Sequence, residues 1–266
     1  MNILVCIKQV PDTTEIKIDP VKHTLIREGV PSIVNPFDAC ALEMAVRLKE
    51  KEGGKVIVIS MGPAQAKNAL KECLAVGADQ AFLVTDRAFG GSDTLATSYI
   101  LSRAIAAVEA KTGEKFDLIF CGKQAIDGDT AQVGPQISEH LDIPVISYAQ
   151  DIKVEGDSVI VQRQFEDRYH VLKAKMPCLI TALSELNEPR YMTPGGIFDA
   201  CDAEITTWGR ADLTTLDDAN IGLAGSPTKI AKASDKVRKG AGEKVTLDPE
   251  EAVSYLMGKL TEKHII

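Results

Sequence analysis

Short apolar runs alternate with helical patterns through the first half of the chain, and this alternation restricts the fold more than any other feature. Ile3 to Ile7, Val56 to Met61, Ala81 to Thr85 and Leu118 to Cys121 are nearly unbroken apolar runs. That is how a parallel strand covered on both faces reads. Between them, Pro36 to Lys51 places Ala39, Leu42, Ala45, Val46 and Leu48 at helical spacing. Ala64 to Val76 ends at Gly77, a plausible C-cap. Asp93 to Lys111 opens on an Asp N-cap; Asp129 to Leu141 opens on another and stops before Pro144. This β-α-β-α order predicts an α/β fold with a doubly wound, Rossmann-like parallel sheet.

Near residue 148 the pattern changes. Ile152 to Val154, Ser158 to Gln164 and His170 to Lys175 alternate like antiparallel strands, with Glu155-Gly156-Asp157 as a hairpin turn. The expectation is an antiparallel hairpin excursion over about 149–176, before Cys178 to Leu183 returns to the main sheet. After about residue 208 the apolar periodicity weakens, and Ala224-Gly225-Ser226-Pro227 and Lys239-Gly240-Ala241-Gly242 read as loops. A last helix is expected from Asp248-Pro249-Glu250-Glu251 to about Lys263. The chain thus divides into an α/β domain, 1–208, and a linker with a C-terminal helical arm, 209–266.

Composition removes several function classes. A net charge of −8 argues against nucleic acid as a partner, since phosphate backbones need a basic face. Aromatic residues are 5% of the 266, with a single Trp, which leaves little for a base-stacking platform. Of the six cysteines the closest two, Cys178 and Cys201, lie 23 positions apart, so no CxxC motif exists. Buried, reduced thiols are expected, and hence a reducing compartment. The start, Met1-Asn2-Ile3-Leu4-Val5-Cys6-Ile7-Lys8, reads as a strand rather than a secretion signal, and no run reaches membrane-span length. A cytoplasmic protein without membrane insertion is the expectation. His23, His140, His170 and His264 are too scattered for a zinc site or a catalytic triad.

In an open α/β sheet ligands sit beyond the carboxyl ends of the strands. The loops there are Lys8 to Asp12, Gly62-Pro63-Ala64, Asp86 to Thr94 and Gly122 to Pro135. The last two are rich in Gly, Asp, Thr and Gln. Glycine lets backbone amides approach a ligand, and a following helix N-terminus favours an anion. Each loop alone is more simply a set of turn and cap residues; two at adjacent strand ends favour a nucleotide. Neither fits the dinucleotide GxGxxG or the P-loop pattern. Asp127 and Asp129 as a metal pair lack further oxygen ligands at suitable spacing. Lys8 and Lys123 could screen phosphate charge or simply be solvated. Asn35-Pro36 reads first as an N-cap with Pro at N1.

Over essentially its whole length the chain resembles the β (small) subunit of electron-transfer flavoproteins. The resemblance rests on Val5-Cys6-Ile7-Lys8-Gln9-Val10-Pro11-Asp12, Asn35-Pro36-Phe37-Asp38, Ser60-Met61-Gly62-Pro63, Ala75-Val76-Gly77-Ala78-Asp79 and Leu186-Asn187-Glu188-Pro189-Arg190-Tyr191. Its most specific stretch, Gly122 to Gly134, is similar to the family's nucleotide-binding signature. The resemblance implies an adenine-nucleotide-binding domain paired with a larger α subunit that carries the main flavin. Ordinary members hold AMP in the small subunit. Members of the electron-bifurcating branch hold FAD there, reduced by NADH, and Asp86 to Thr94 looks like that branch.

By this resemblance Cys6, Asn35, Asp38 and Met61 line the adenosine end. Gly122, Lys123, Gln124, Ala125, Asp127, Asp129, Thr130, Ala131, Gln132 and Val133 belong to the segment holding ribose and pyrophosphate. Phe89, Gly91, Asp93 and Thr94 lie nearer the flavin ring. Leu186, Asn187, Glu188, Pro189, Arg190, Tyr191 and Met192 form a loop that recognises a partner dehydrogenase. The loop departs from many members at Pro194-Gly195-Gly196, where others carry a leucine before the proline. The implied chemistry splits the hydride's electrons between the α-subunit flavin, then an acyl-CoA-type or other dehydrogenase, and ferredoxin or flavodoxin. No protein group need act as base or nucleophile. The competing readings are an AMP-holding structural subunit and, more distantly, a universal-stress-type nucleotide-binding protein of the same fold. The latter is about half this length and leaves the hairpin and tail without a role.

Overall fold

In the computed structural model, β1 (Asn2–Cys6) lies mid-sheet with Ile3, Leu4 and Val5 fully buried. This is the outcome its unbroken apolar run demands. The structure describes residues 1–12, 17–18, 25–26, 31–229, 240 and 242–266. His23 lies outside them, as do Lys239 and Ala241 of the second expected loop.

After β1 come the short strands β2 (Gln9–Pro11), β3 (Lys17–Ile18), β4 (Leu25–Ile26) and β5 (Ser32–Val34), then α1 (Pro36–Glu52). There follow β6 (Lys55–Met61), α2 (Lys67–Val76), β7 (Gln80–Val84), α3 (Thr94–Thr112), β8 (Leu118–Gly122) and α4 (Val133–Leu141). The second half holds β9 (Val145–Glu155), β10 (Ser158–Gln164), β11 (Tyr169–Lys175), β12 (Cys178–Ala182), α5 (Pro194–Asp202), β13 (Ile205–Trp208) and α6 (Pro249–Glu262).

One nine-stranded sheet runs in the order β11-β10-β9-β12-β8-β1-β6-β7-β13. From β9 to β13 all neighbours are parallel; only β9-β10 and β10-β11 are antiparallel. The chain leaves β1 for β6 and β7, then crosses back to β8 on the other side of β1. That reversal makes the β1–β8 boundary the topological switch point, where α/β folds open a crevice. Leu42, Met44, Leu48 and Leu70 fill one face of the sheet, and Ile100, Ile105, Val108 and Ile137 fill the other.

The four expected strands of the first half and the helix over 94–112 form within a residue or so of their predicted ends, with Asp93 capping α3 through its side chain. Three expectations need correction. The fourth helix begins at Val133, not Asp129, because Asp129 and Ala131 take φ of 54° and 53°, which no helix accommodates. Residues 64–66 form a separate 3₁₀ turn before α2. The hairpin does not leave the sheet but extends it: β9 pairs parallel with β12 and antiparallel with β10.

Residues just past 208 are not a free linker. Leu213, Leu216 and Ile221 are buried beside α3. Isolated leucines spaced through polar sequence give no periodic signal, so sequence reading missed them, along with α5 and β13. By contrast α6 contains no buried residue. Among the described residues no helix is long and apolar enough to cross a membrane.

Candidate functional site

Asp38 ties the switch point together. It sits in the first turn of α1, 6% exposed, and its carboxylate accepts the Lys8 amide at 2.7 Å and the Gly122 amide at 3.0 Å. One side chain therefore joins the residues that follow β1 and end β8. Burial pushes its pKa up to about 7, against the hydrogen bonds that favour the charged form. Gly122 is required for this approach: a Cβ there would lie 2.3 Å from Asp38 Oδ1 and 2.7 Å from Phe37 Cβ.

Asn35 is fully buried and does not cap α1 with its side chain. It reaches across the crevice instead, Nδ2 donating to Gln124 O at 2.8 Å and Oδ1 accepting from Ile126 N at 3.2 Å. The two polar residues expected against a nucleotide thus have their side chains committed to the backbone of the loops. A buried polar group must be satisfied, and here that requirement shapes the 122–133 loop. Lys8 donates to Asp127 at 2.6 Å, so its charge is answered within the chain. Gln124 Nε2 donates to Asp129 at 2.7 Å. Lys123 lies over the Tyr148 ring at 5.5 Å, shared with Arg163 at 5.6 Å.

The positive φ values at Asp129 and Ala131 alternate along a segment that ends in αR geometry at Gln132. Alternating backbone handedness turns successive amides toward one side, an anion-receptive arrangement, and α4 begins directly after it. Thr130 and Ala125 lie in the same segment, Thr130 exposed. Cys6 and Met61 end β1 and β6, so they meet the crevice from its floor. These features suit a phosphate-bearing nucleotide. Among the described residues no group of three His, Cys, Asp or Glu could hold a metal.

A second wall comes from Asp86 to Thr94. Phe89 is buried and anchors it. Asp93 accepts from Leu95, Ala96 and Thr228 amides, and its own amide donates to Ser226 Oγ at 2.8 Å. Gly91, at φ 75°, lies against Leu223. Thr94 Oγ1 donates to Gln132 Oε1 at 2.9 Å, which brings this wall onto the 122–133 loop. An open cavity of about 610 Å³ lies alongside, bounded by Leu95, Asn220, Leu223, Ser226 and Lys229. Ser226, Gly222 and Leu223 escaped sequence reading because Gly-Ser-Pro reads as plain loop; only the tertiary contact gives it a role.

The 186–192 loop lies elsewhere, on α1. Leu186 is buried, Asn187 Nδ2 donates to Cys40 O at 2.9 Å, and Arg190 Nε donates to Glu43 at 2.7 Å and reaches Glu50. Burial alone would raise the Glu43 pKa, but hydrogen bonds from Arg190 and Arg47 outweigh it and hold the carboxyl below its ordinary range. Glu188 and Pro189 lie on the surface, and Tyr191 (95% exposed) and Met192 project from this rigid base.

Comparison with known proteins agrees with the crevice and the fold. The model of the family "Electron transfer flavoprotein domain" matches residues 22–219. The chain is 55% identical over 266 residues to "Electron transfer flavoprotein subunit beta" of Clostridium acetobutylicum, covering all of both chains. It is 53% identical over 268 residues to "Caffeyl-CoA reductase-Etf complex subunit CarD" of Acetobacterium woodii, again covering all of both. Against "Electron transfer flavoprotein subunit beta" of Megasphaera elsdenii it is 55% identical over 271 residues with the same coverage. A doubly wound sheet, a glycine-dependent crevice at its switch point and similarity along the entire length have one common explanation: the chain belongs to the electron transfer flavoprotein family.

Proposed function

We propose that this chain is the small subunit of a heterodimeric electron transfer flavoprotein, and that its crevice holds FAD reduced by NADH. The observation that carries FAD over AMP is the wall at 86–94. AMP needs only the β1–β8 end, whereas here a second wall from 86–94, fastened by Asp93 to Ser226, meets the 122–133 loop through Thr94 and Gln132. The 129–132 amides and the α4 N-terminus fit a pyrophosphate. The cavity beside Leu223 offers room for the nicotinamide substrate.

When bound, the flavin supplies hydride acceptance and one-electron transfer, to the α-subunit flavin on one side and to ferredoxin or flavodoxin on the other. The chain's own residues bind and orient. Gly122 lets the backbone approach, Asp38 and Asn35 set the loop's shape, and the 86–94 wall bounds the far side through the Thr94–Gln132 contact. The 186–192 loop presents Tyr191 and Met192 to a dehydrogenase of the acyl-CoA type, a class in keeping with the caffeyl-CoA name of the Acetobacterium relative. The α6 helix, with Val253, Leu256 and Met257 exposed, packs on the α subunit. The fold and the expected reducing compartment suit the cytoplasm.

The test is the nucleotide released on denaturing the purified heterodimer. Two FAD per dimer supports the proposal. One FAD and one AMP would replace it with the reading in which the small subunit holds a structural nucleotide and all redox chemistry lies in its partner.

A further inference from the structure

Cys6 and Cys121 stand side by side at the switch point. β1 and β8 are parallel neighbours with Val5 opposite Phe120, so the next residue on one strand is Cys6 and on the other Cys121. Both side chains lie on the α3–α4 face, in one apolar cluster with Leu4 and Ile119. The register sets the two thiols next to each other, and interaction with Cys6, and then burial, raise the Cys121 thiol pKa well above its ordinary value. Neighbouring strands run about 4.8 Å apart, within the roughly 4.4–6.8 Å Cα separation that a disulfide spans. The remaining cysteines are placed differently. Cys40 donates to the carbonyls of Ser184 and Asn187, Cys73 and Cys178 lie on the opposite face of the sheet, and Cys201 is exposed.

We infer that Cys6 and Cys121 form a reversible intrachain disulfide, a redox-responsive staple across the two strand ends that carry the crevice loops. A small-molecule disulfide is the oxidant. The Cys6 thiolate, at the strand end and the more exposed of the two (9% against 6%), attacks one of its sulfurs. A mixed disulfide forms and one small thiolate leaves. The Cys121 thiolate then attacks the Cys6 sulfur, closing the protein disulfide and expelling the second small thiolate. Two electrons pass from the protein pair to the oxidant, and the two protein thiol protons are taken up by the released thiolates. The raised Cys121 pKa keeps its thiolate scarce near neutrality, so closure is slow there and speeds up as pH rises.

The experiment incubates the purified full-length complex with oxidised glutathione at neutral and mildly alkaline pH. Free thiols are then blocked and the unreduced protein is digested with trypsin. Cleavage after Lys8, Lys115 and Lys123 isolates Met1–Lys8 and Phe116–Lys123, each with one cysteine. The expected result is a linked pair of these peptides that accumulates faster at the higher pH and separates on adding dithiothreitol. Cys121→Ala should leave glutathione on Cys6 and abolish the linked pair. Glutathione found on Cys201 alone, or no linked pair from the wild-type chain at either pH, overturns the inference.

Discussion

Replacing Gly122 with alanine tests whether the Asp38 tie shapes the crevice. The new Cβ would fall 2.3 Å from Asp38 Oδ1, 2.7 Å from Phe37 Cβ and 2.8 Å from Asp38 N. Two of these three atoms belong to the first turn of α1 or its backbone, which cannot swing aside as a long side chain can. Relief needs a displacement of about 1 Å, since carbon and oxygen in contact sit at least 3 Å apart. Such a shift breaks the Gly122 amide bond to Asp38, a bond to a charged group worth about 1.5–3 kcal/mol. Overpacking adds about 1–3 kcal/mol. The expected loss is then about 2.5–6 kcal/mol, which lowers a urea midpoint by about 1 M or more. Gly128→Ala is the matched control: it lies in the same loop, with nothing within 4 Å of its added Cβ. Its effect should stay under about 1 kcal/mol. Both variants are made in the full heterodimer, and unfolding and retained nucleotide are measured together. Equal midpoints for the two variants, or full nucleotide retention by Gly122→Ala, would refute the reasoning.

Other expectations follow from the same contacts. Because burial raises Asp38 in the folded state to about 7, the folded chain binds more protons than the unfolded one between about pH 4 and pH 7. This group's contribution to stability therefore falls as pH rises through that window, and Asp38→Asn should flatten that part of a stability–pH profile. Glu43 has the opposite sign: its lowered pKa stabilises above the ordinary glutamate value and is lost on acidification. Arg190→Met should remove much of that acid sensitivity and cost about 1–3 kcal/mol by urea titration, with Arg47 still covering the carboxylate. Ser226→Ala should loosen the 86–94 wall by about 1–2 kcal/mol, seen as a lower urea midpoint and, if the proposed site is right, as loss of the nucleotide bound to this subunit. Truncation after residue 240 removes α6, which buries no residue on this chain. It should weaken heterodimer formation in gel filtration and leave the unfolding midpoint of the α/β body unchanged.

The sheet was legible because parallel strands must be apolar on both faces. Ile3–Val5, Val56–Ile59 and Leu118–Cys121 could be nothing else once helical spacing appeared between them. Capping chemistry marked Asp93 for the same local reason: an unsatisfied helix amide needs an acceptor close in sequence. The two loops over 86–94 and 122–135 also stood out, since both are rich in glycine, aspartate and threonine at neighbouring strand ends. What those residues do there was decided only by tertiary contact. Asn35 looks like a cap and instead holds the 124–126 backbone, 89 and 91 residues away. Asp129 looks like a helix start and instead turns into left-handed geometry. Ser226 and Leu223 look like linker and instead brace a wall more than 130 residues earlier. Local pattern records which backbone groups need partners and which side chains avoid water. It does not record which distant segment supplies the partner, because that depends on strand order, and strand order emerges only when the whole sheet is assembled.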